Sequence, residues 1–194
     1  MQFKFNLEDR NKYTYLSYRK FIEDQLGNGE TTSKDDSDEM IDATKRNIAK
    51  MTRLDKTVKI TDKLKAAMVK AIPQKWILLT EGWCDDAAQT IPIIHKMMGF
   101  AFNVELIILL RDENMDIMNK FLTKKGQSIP KLISVDENDK VLFTWGPRPE
   151  KMQARAMELK KAKEEYAEEI NKMYLKDRAV SIQVEFIDLL TKAK

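Results

Sequence analysis

The 194-residue chain is 43% hydrophobic, enough to bury a core as one domain or as one domain with helical additions. Its 34 Lys and Arg against 31 Asp and Glu leave a formal charge of only +3, dispersed along the chain, which does not imply nucleic acid as a partner. No apolar run approaches the length of a bilayer span, the opening Met1 to Asp9 lacks a signal peptide's apolar centre, and one cysteine permits no internal disulfide; a cytoplasmic protein with no membrane partner is expected.

From about Leu7 to Leu26, Tyr15, Tyr18, Ile22 and Leu26 recur at helical spacing, and Gly27-Asn28-Gly29 stops the helix. Glu30 to Glu39 is polar and acidic and reads as a loop. A second helix is expected from Asp38 to Leu54, with Ile41, Thr44, Ile48 and Met51 on one face. A third, Asp62 to Ala71, is capped by Thr61 and ended by Pro73.

The pattern then changes. Trp76 to Thr80 is a short apolar strand that runs through Glu81-Gly82-Trp83-Cys84 into a helix from Asp85 to Met98. Val104 to Leu110 is a second strand and Met115 to Lys124 a further helix. Lys131 to Val135 and Val141 to Trp145 are two strands whose polar link, Asp136-Glu137-Asn138-Asp139, implies an antiparallel hairpin. Nearly continuous apolar strands separated by helices predict an α/β sheet covered on both faces. Pro149 opens a helix expected to run to about Lys176, with Met152, Leu159, Tyr166 and Met173 at intervals of seven. Val180, Val184, Ile187 and Leu190 mark a last helix. The expected division is a helical amino-terminal extension (1–73), a core (74–148) and carboxy-terminal helices (149–194), forming one compact domain.

Cys84 stands at the strand-to-helix junction, where unpaired backbone N–H groups and the positive end of the helix dipole favour a thiolate. Asp85 and Asp86 oppose that, because like charges next to a thiolate disfavour it, and acidic residues in a first helical turn also serve the dipole structurally. A cysteine that merely packs is the alternative. His95 lies eleven residues along the helix, about 16 Å at 1.5 Å per residue, too far to act as its base. One cysteine with one histidine provides no zinc set, and no glycine-rich phosphate loop is present, so no cofactor is expected.

Trp83-Cys84 at a strand end, a helix after it and Pro92 eight residues on resemble the active-site turn and kinked helix of thioredoxins. Asp112-Glu113-Asn114, a helix, and then Ser128-Ile129-Pro130-Lys131-Leu132-Ile133 resemble the same family's second strand-helix unit and cis-proline loop. The resemblance covers about Gln74 to Gly146 and implies a thioredoxin-like fold with helical extensions at both termini. Two departures stand out: thioredoxins carry a second cysteine where this chain has Ala87, and they begin with a strand and a helix where this chain is mostly helical.

By that resemblance Pro130 is cis and faces Cys84, Ile129 offers its backbone N–H and C=O to an extended substrate, and Trp83, Trp145 and Arg148 line the same groove. Packing in the core, for the tryptophans, a solvated turn, for Arg148, and an ordinary trans proline beginning a strand, for Pro130, are the alternatives; a carboxylate held by Arg148 would be the substrate's or that of Asp85. Exchange needs a second thiol to resolve a mixed disulfide, and Ala87 cannot supply it. The leading expectation is a monothiol redox protein in which Cys84 attacks and an external low-molecular-weight thiol or a partner resolves. The alternative is a redox-inactive thioredoxin-fold protein that binds a peptide or protein in the cis-proline groove. Monothiol iron-sulfur binding with glutathione has no matching motif. The oligomeric state and the physiological substrate stay open.

Overall fold

A computed structural model of the chain describes residues 3–162 and 164–193. Four strands form one mixed sheet in the order β2-β1-β3-β4: β1 (Gln74–Thr80), β2 (Val104–Leu110), β3 (Lys131–Val135) and β4 (Val141–Trp145). β1 pairs in parallel with β2, Leu78 opposite Ile108, and antiparallel with β3, Ile77 opposite Ile133. β3 and β4 form the hairpin expected from the short polar link, with an irregularity at Ser134/Val135. Trp76 to Thr80 are all buried, as a strand covered on both faces must be. Truncating Ile77 to alanine there would cost about 2–5 kcal/mol. The polar groups that enter this core are paired: Gln74 Oε1 accepts from Trp76 Nε1 (2.8 Å) and from Ser134 Oγ (2.6 Å).

Three helices precede the sheet: α1 (Tyr15–Gly27), α2 (Asp38–Thr57) and α3 (Asp62–Val69). α1 starts later than the expected Leu7, because Thr14 and Ser17 form a capping box, and the residues before it run extended so that Tyr13 and Ile108 exchange 2.9 Å backbone hydrogen bonds. That single bridge lies on the free edge of β2, where a thioredoxin's first strand would extend the sheet. The loop between α1 and α2 is pinned as well: Thr31 and Thr32 are buried, and the Thr31 N–H donates to Asp36 at 2.7 Å. α4 (Asp85–Met98) connects β1 to β2 and packs on α2, with His95 stacked on Tyr15 at 4.3 Å.

Two further expected elements differ. The helix after β2, α5, spans only Met115–Met118, because Lys124 and Lys125 adopt positive φ and close a tight turn in which Thr123 and Gly126 exchange 2.9 Å hydrogen bonds. The turn has the signs of a type I′ hairpin without the Asn-Gly that usually announces one. The long helix after Pro149 is two, α6 (Glu150–Lys161) and α7 (Ala167–Asp177), which fold against each other around Met152, Ala156 and Ile170. A seam of one apolar residue in seven cannot be buried by one straight helix on a sheet, but it can be buried by its own second half. Finally, α8 (Val180–Lys192) packs on α3, where the Gln183 side chain accepts from the Thr61 N–H (2.8 Å) and donates to the Lys59 carbonyl (3.2 Å), and it presses Phe186 onto Trp76 and Trp145.

Candidate functional site

The turn between β1 and α4 is built from below. Glu81 is fully buried and accepts hydrogen bonds from the Thr32 hydroxyl and the Asp112 N–H (3.0 Å), while Asn47 of α2 donates to the Gly82 carbonyl at 3.1 Å. These contacts fix the turn from two sides, so Cys84 enters α4 as its amino-terminal cap. Burial pushes the Glu81 carboxyl up to about 7, and its hydrogen bonds to Thr32 and Asp112 pull the other way.

Cys84 is 8% exposed, and its thiol donates to the Ile129 carbonyl at 3.3 Å. The Ile129–Pro130 peptide bond is cis. Burial is the main reason that the thiol is pushed up to about 12; the Asp86 charge adds to it. The Ala87 and Asp86 backbone groups act in the opposite direction without closing a cap hydrogen bond. The dipole contribution is therefore outweighed, and the neutral thiol is the favoured form at pH 7. Ala87 is buried one turn into the helix.

Arg148 does not meet Asp85. Its guanidinium chelates Asp86, with Nε 3.0 Å from both carboxylate oxygens and Nη2 closer still, and Tyr174 of α7 donates its hydroxyl to Asp86 at 2.8 Å. Both side chains of the pair are 13% exposed. Burial pushes Asp86 up despite that pair; Arg148 loses by burial, but Asp86 outweighs the loss and the net direction is up. Asp85 instead bonds Lys50 of α2 at 2.8 Å. Asp86 thus ties the end of the hairpin and α7 to the first turn of α4, and Gln89 continues the seam to Asn171 at 3.3 Å.

The remaining sequence candidates scatter. Trp83 stacks under Arg111 at 5.0 Å, and its Nε1 is buried without a partner among the described residues. Trp145 is core: its ring packs on Phe186 and its Nε1 donates to Glu185 at 2.7 Å. Gly146 backs the cis-proline loop, at φ +110 with the Pro130 carbonyl oxygen 2.1 Å from where a Cβ would be. The structure therefore brings together Cys84 with Ile129, and Asp86 with Arg148, while the side chains of Trp83 and Asp85 find other partners, Arg111 and Lys50. Sequence reasoning missed Glu81, Lys50, Thr32 and Tyr174. Only Glu81 left a signal, a carboxylate directly after an apolar strand.

A family model described as thioredoxin matches residues 33–174. The chain belongs to the thioredoxin family. The matched span reaches beyond residues 74–148 on both sides, into α2, α6 and α7. Two solved structures share the fold at a TM-score of 0.58 and 14% identity, each over 94% of this chain. One is an HIV epitope scaffold, covered over 100% of its length, and the other a protein of unknown function from Pseudomonas aeruginosa, covered over 99%. No curated protein matches the chain. Among the described residues, no helix of this thioredoxin-family member is long and apolar enough to cross a membrane, and no group of three or more His, Cys, Asp or Glu residues is placed to hold a metal ion.

Proposed function

We propose that this thioredoxin-family chain acts by binding an extended segment of a protein partner at the cis-proline loop while Cys84 remains a protonated, redox-silent thiol. The observation that carries this reading is the Cys84 thiol itself: buried, donating to Ile129, and pushed up to about 12. Ala87 leaves no resolving thiol, and the Arg148 guanidinium is engaged with Asp86. The Ile129 N–H has no acceptor among the described residues, which suits it to pair with an incoming strand. In this reading Trp83, packed against Arg111, and Arg148, chelating Asp86, shape the turn rather than contact the bound segment.

A second reading, monothiol exchange resolved by an external low-molecular-weight thiol, is favoured by one observation: the sulfur sits at the amino terminus of α4 opposite the cis-proline. The pH dependence of iodoacetamide alkylation on the folded protein separates the two. The binding reading expects a midpoint above about 9 or no reaction short of unfolding, whereas a midpoint below about 7 would overturn it in favour of exchange. Affinity capture with the wild type and with Cys84→Ser provides the complement: the same partners are expected on both.

A further inference from the structure

The fold forms a cavity of about 410 Å³ between α2, α4, α7 and the start of α8, within the ~300–1,000 Å³ range of small-molecule sites. Part of its wall is apolar, with Leu54, Val58, Ile93 and Ile182 beside the polar Gln89 and Thr90, and the exposed Leu175 forms part of its edge. Its mouth is cationic. Arg53 of α2, Lys59 two residues after that helix ends, and Arg178, at the link between α7 and α8, all border it, and among the described residues none of the three meets a carboxylate. The one acid in the lining, Asp177, is committed elsewhere, accepting from the Ser181 N–H at 3.0 Å and from its hydroxyl to cap α8.

We infer that this cavity binds a small amphipathic carboxylate, its aliphatic body against Ile93 and Ile182 and its carboxylate between Arg53 and Arg178. A guanidinium presents a planar fork of donors that matches a carboxylate, and two such forks at the edge of an apolar pocket select a ligand with one anionic end and one hydrophobic end. A purely polar anion leaves the wall wet, and an uncharged alkyl chain leaves the cations unpaired. The link that carries Arg178 is held in a left-handed conformation over two residues, Arg178 at φ 51 and Ala179 at φ 65, which places the guanidinium beside the cavity. Tyr174 forms part of the wall while its hydroxyl holds Asp86, so the cavity adjoins the cluster next to Cys84 without containing it.

Octanoate, octanol and inorganic phosphate titrated separately into the full chain by calorimetry test the inference, with amide chemical shifts to place the ligand. Octanoate is expected to bind saturably with shifts at Ile93, Ile182 and Arg178, and the Arg53→Met/Arg178→Met double variant, checked for native circular dichroism, should bind about tenfold more weakly or worse. Saturable octanoate binding that the double variant leaves unchanged, equal binding of octanol or of phosphate, or no saturable octanoate binding at all would each overturn it.

Discussion

Tyr174 reaches Asp86 across 88 residues of sequence: its hydroxyl donates a 2.8 Å hydrogen bond to a carboxylate that Arg148 already chelates. Three separate elements, α7, the segment after β4 and the first turn of α4, converge on one nearly buried negative charge. The energetic weight of that convergence lies less in the ion pair than in the penalty for breaking it, because either partner alone would be left charged in a dry site.

Arg148→Met is accordingly expected to cost about 3–5 kcal/mol, and Asp86→Asn combined with Arg148→Met to recover a large part of that loss. Tyr174→Phe removes a single hydrogen bond to a charged group and should cost about 1.5–3 kcal/mol. Urea unfolding of the four proteins at pH 7 checks both statements. A double variant as unstable as Arg148→Met alone would show that the pair acts through packing.

Asp86 also acts on Cys84. Its charge helps to hold the thiol near 12, so Asp86→Asn should lower the midpoint and speed alkylation at pH 9. Asp85→Asn should do less, because Asp85 is half exposed and paired with Lys50. Equal rates for the wild type and Asp86→Asn would mean that burial alone suppresses the thiolate.

Glu81 makes stability depend on pH. Burial raises its folded-state pKa to about 7 from the ordinary 4.5 of a glutamate, so between those values the folded protein holds a proton that the unfolded chain has released. Stability from this group is present in full below about 4.5 and is lost as pH rises through about 7, a change on the order of 3 kcal/mol. Glu81→Gln should flatten that slope between pH 5 and 7.5 in denaturation midpoints. An unchanged slope would place the proton on another group.

Gly146→Ala is expected to destabilise by at least about 2 kcal/mol, since a Cβ there meets the Pro130 carbonyl and φ +110 disfavours any side chain. Gly82→Ala should be milder, because its nearest neighbours are side-chain carbons of Ile22 and Thr32 at 3.1–3.3 Å that can give way. Thermal midpoints of the two variants rank them directly, and the opposite order would contradict the geometry of the loop.

Much of the core was legible in the chain because short-range physics decides it. Continuous apolar runs of five to seven residues, Asp85 to Met98 at helical spacing after a strand, and a four-residue polar link each encode a local structure that needs no distant partner. The shortened α5 and the break between α6 and α7 were not legible. The Lys124-Lys125 turn lacks the residues that favour positive φ, and the break depends on Met152 and Ala156 finding Ile170 rather than the sheet.

The candidate site divides along the same line. Sequence by itself determined that there is one thiol, that it starts a helix after a buried strand, and that no second thiol follows at position 87; these are matters of composition and local order. Only the tertiary structure decided that the sulfur is sheltered against Ile129, that Arg148 serves Asp86 rather than Asp85, and that Tyr174 and Thr32 reach the turn from opposite ends of the chain. A thiol's ionisation is set by solvent exclusion and by charges a few ångströms away, and those distances exist only once the chain has closed on itself.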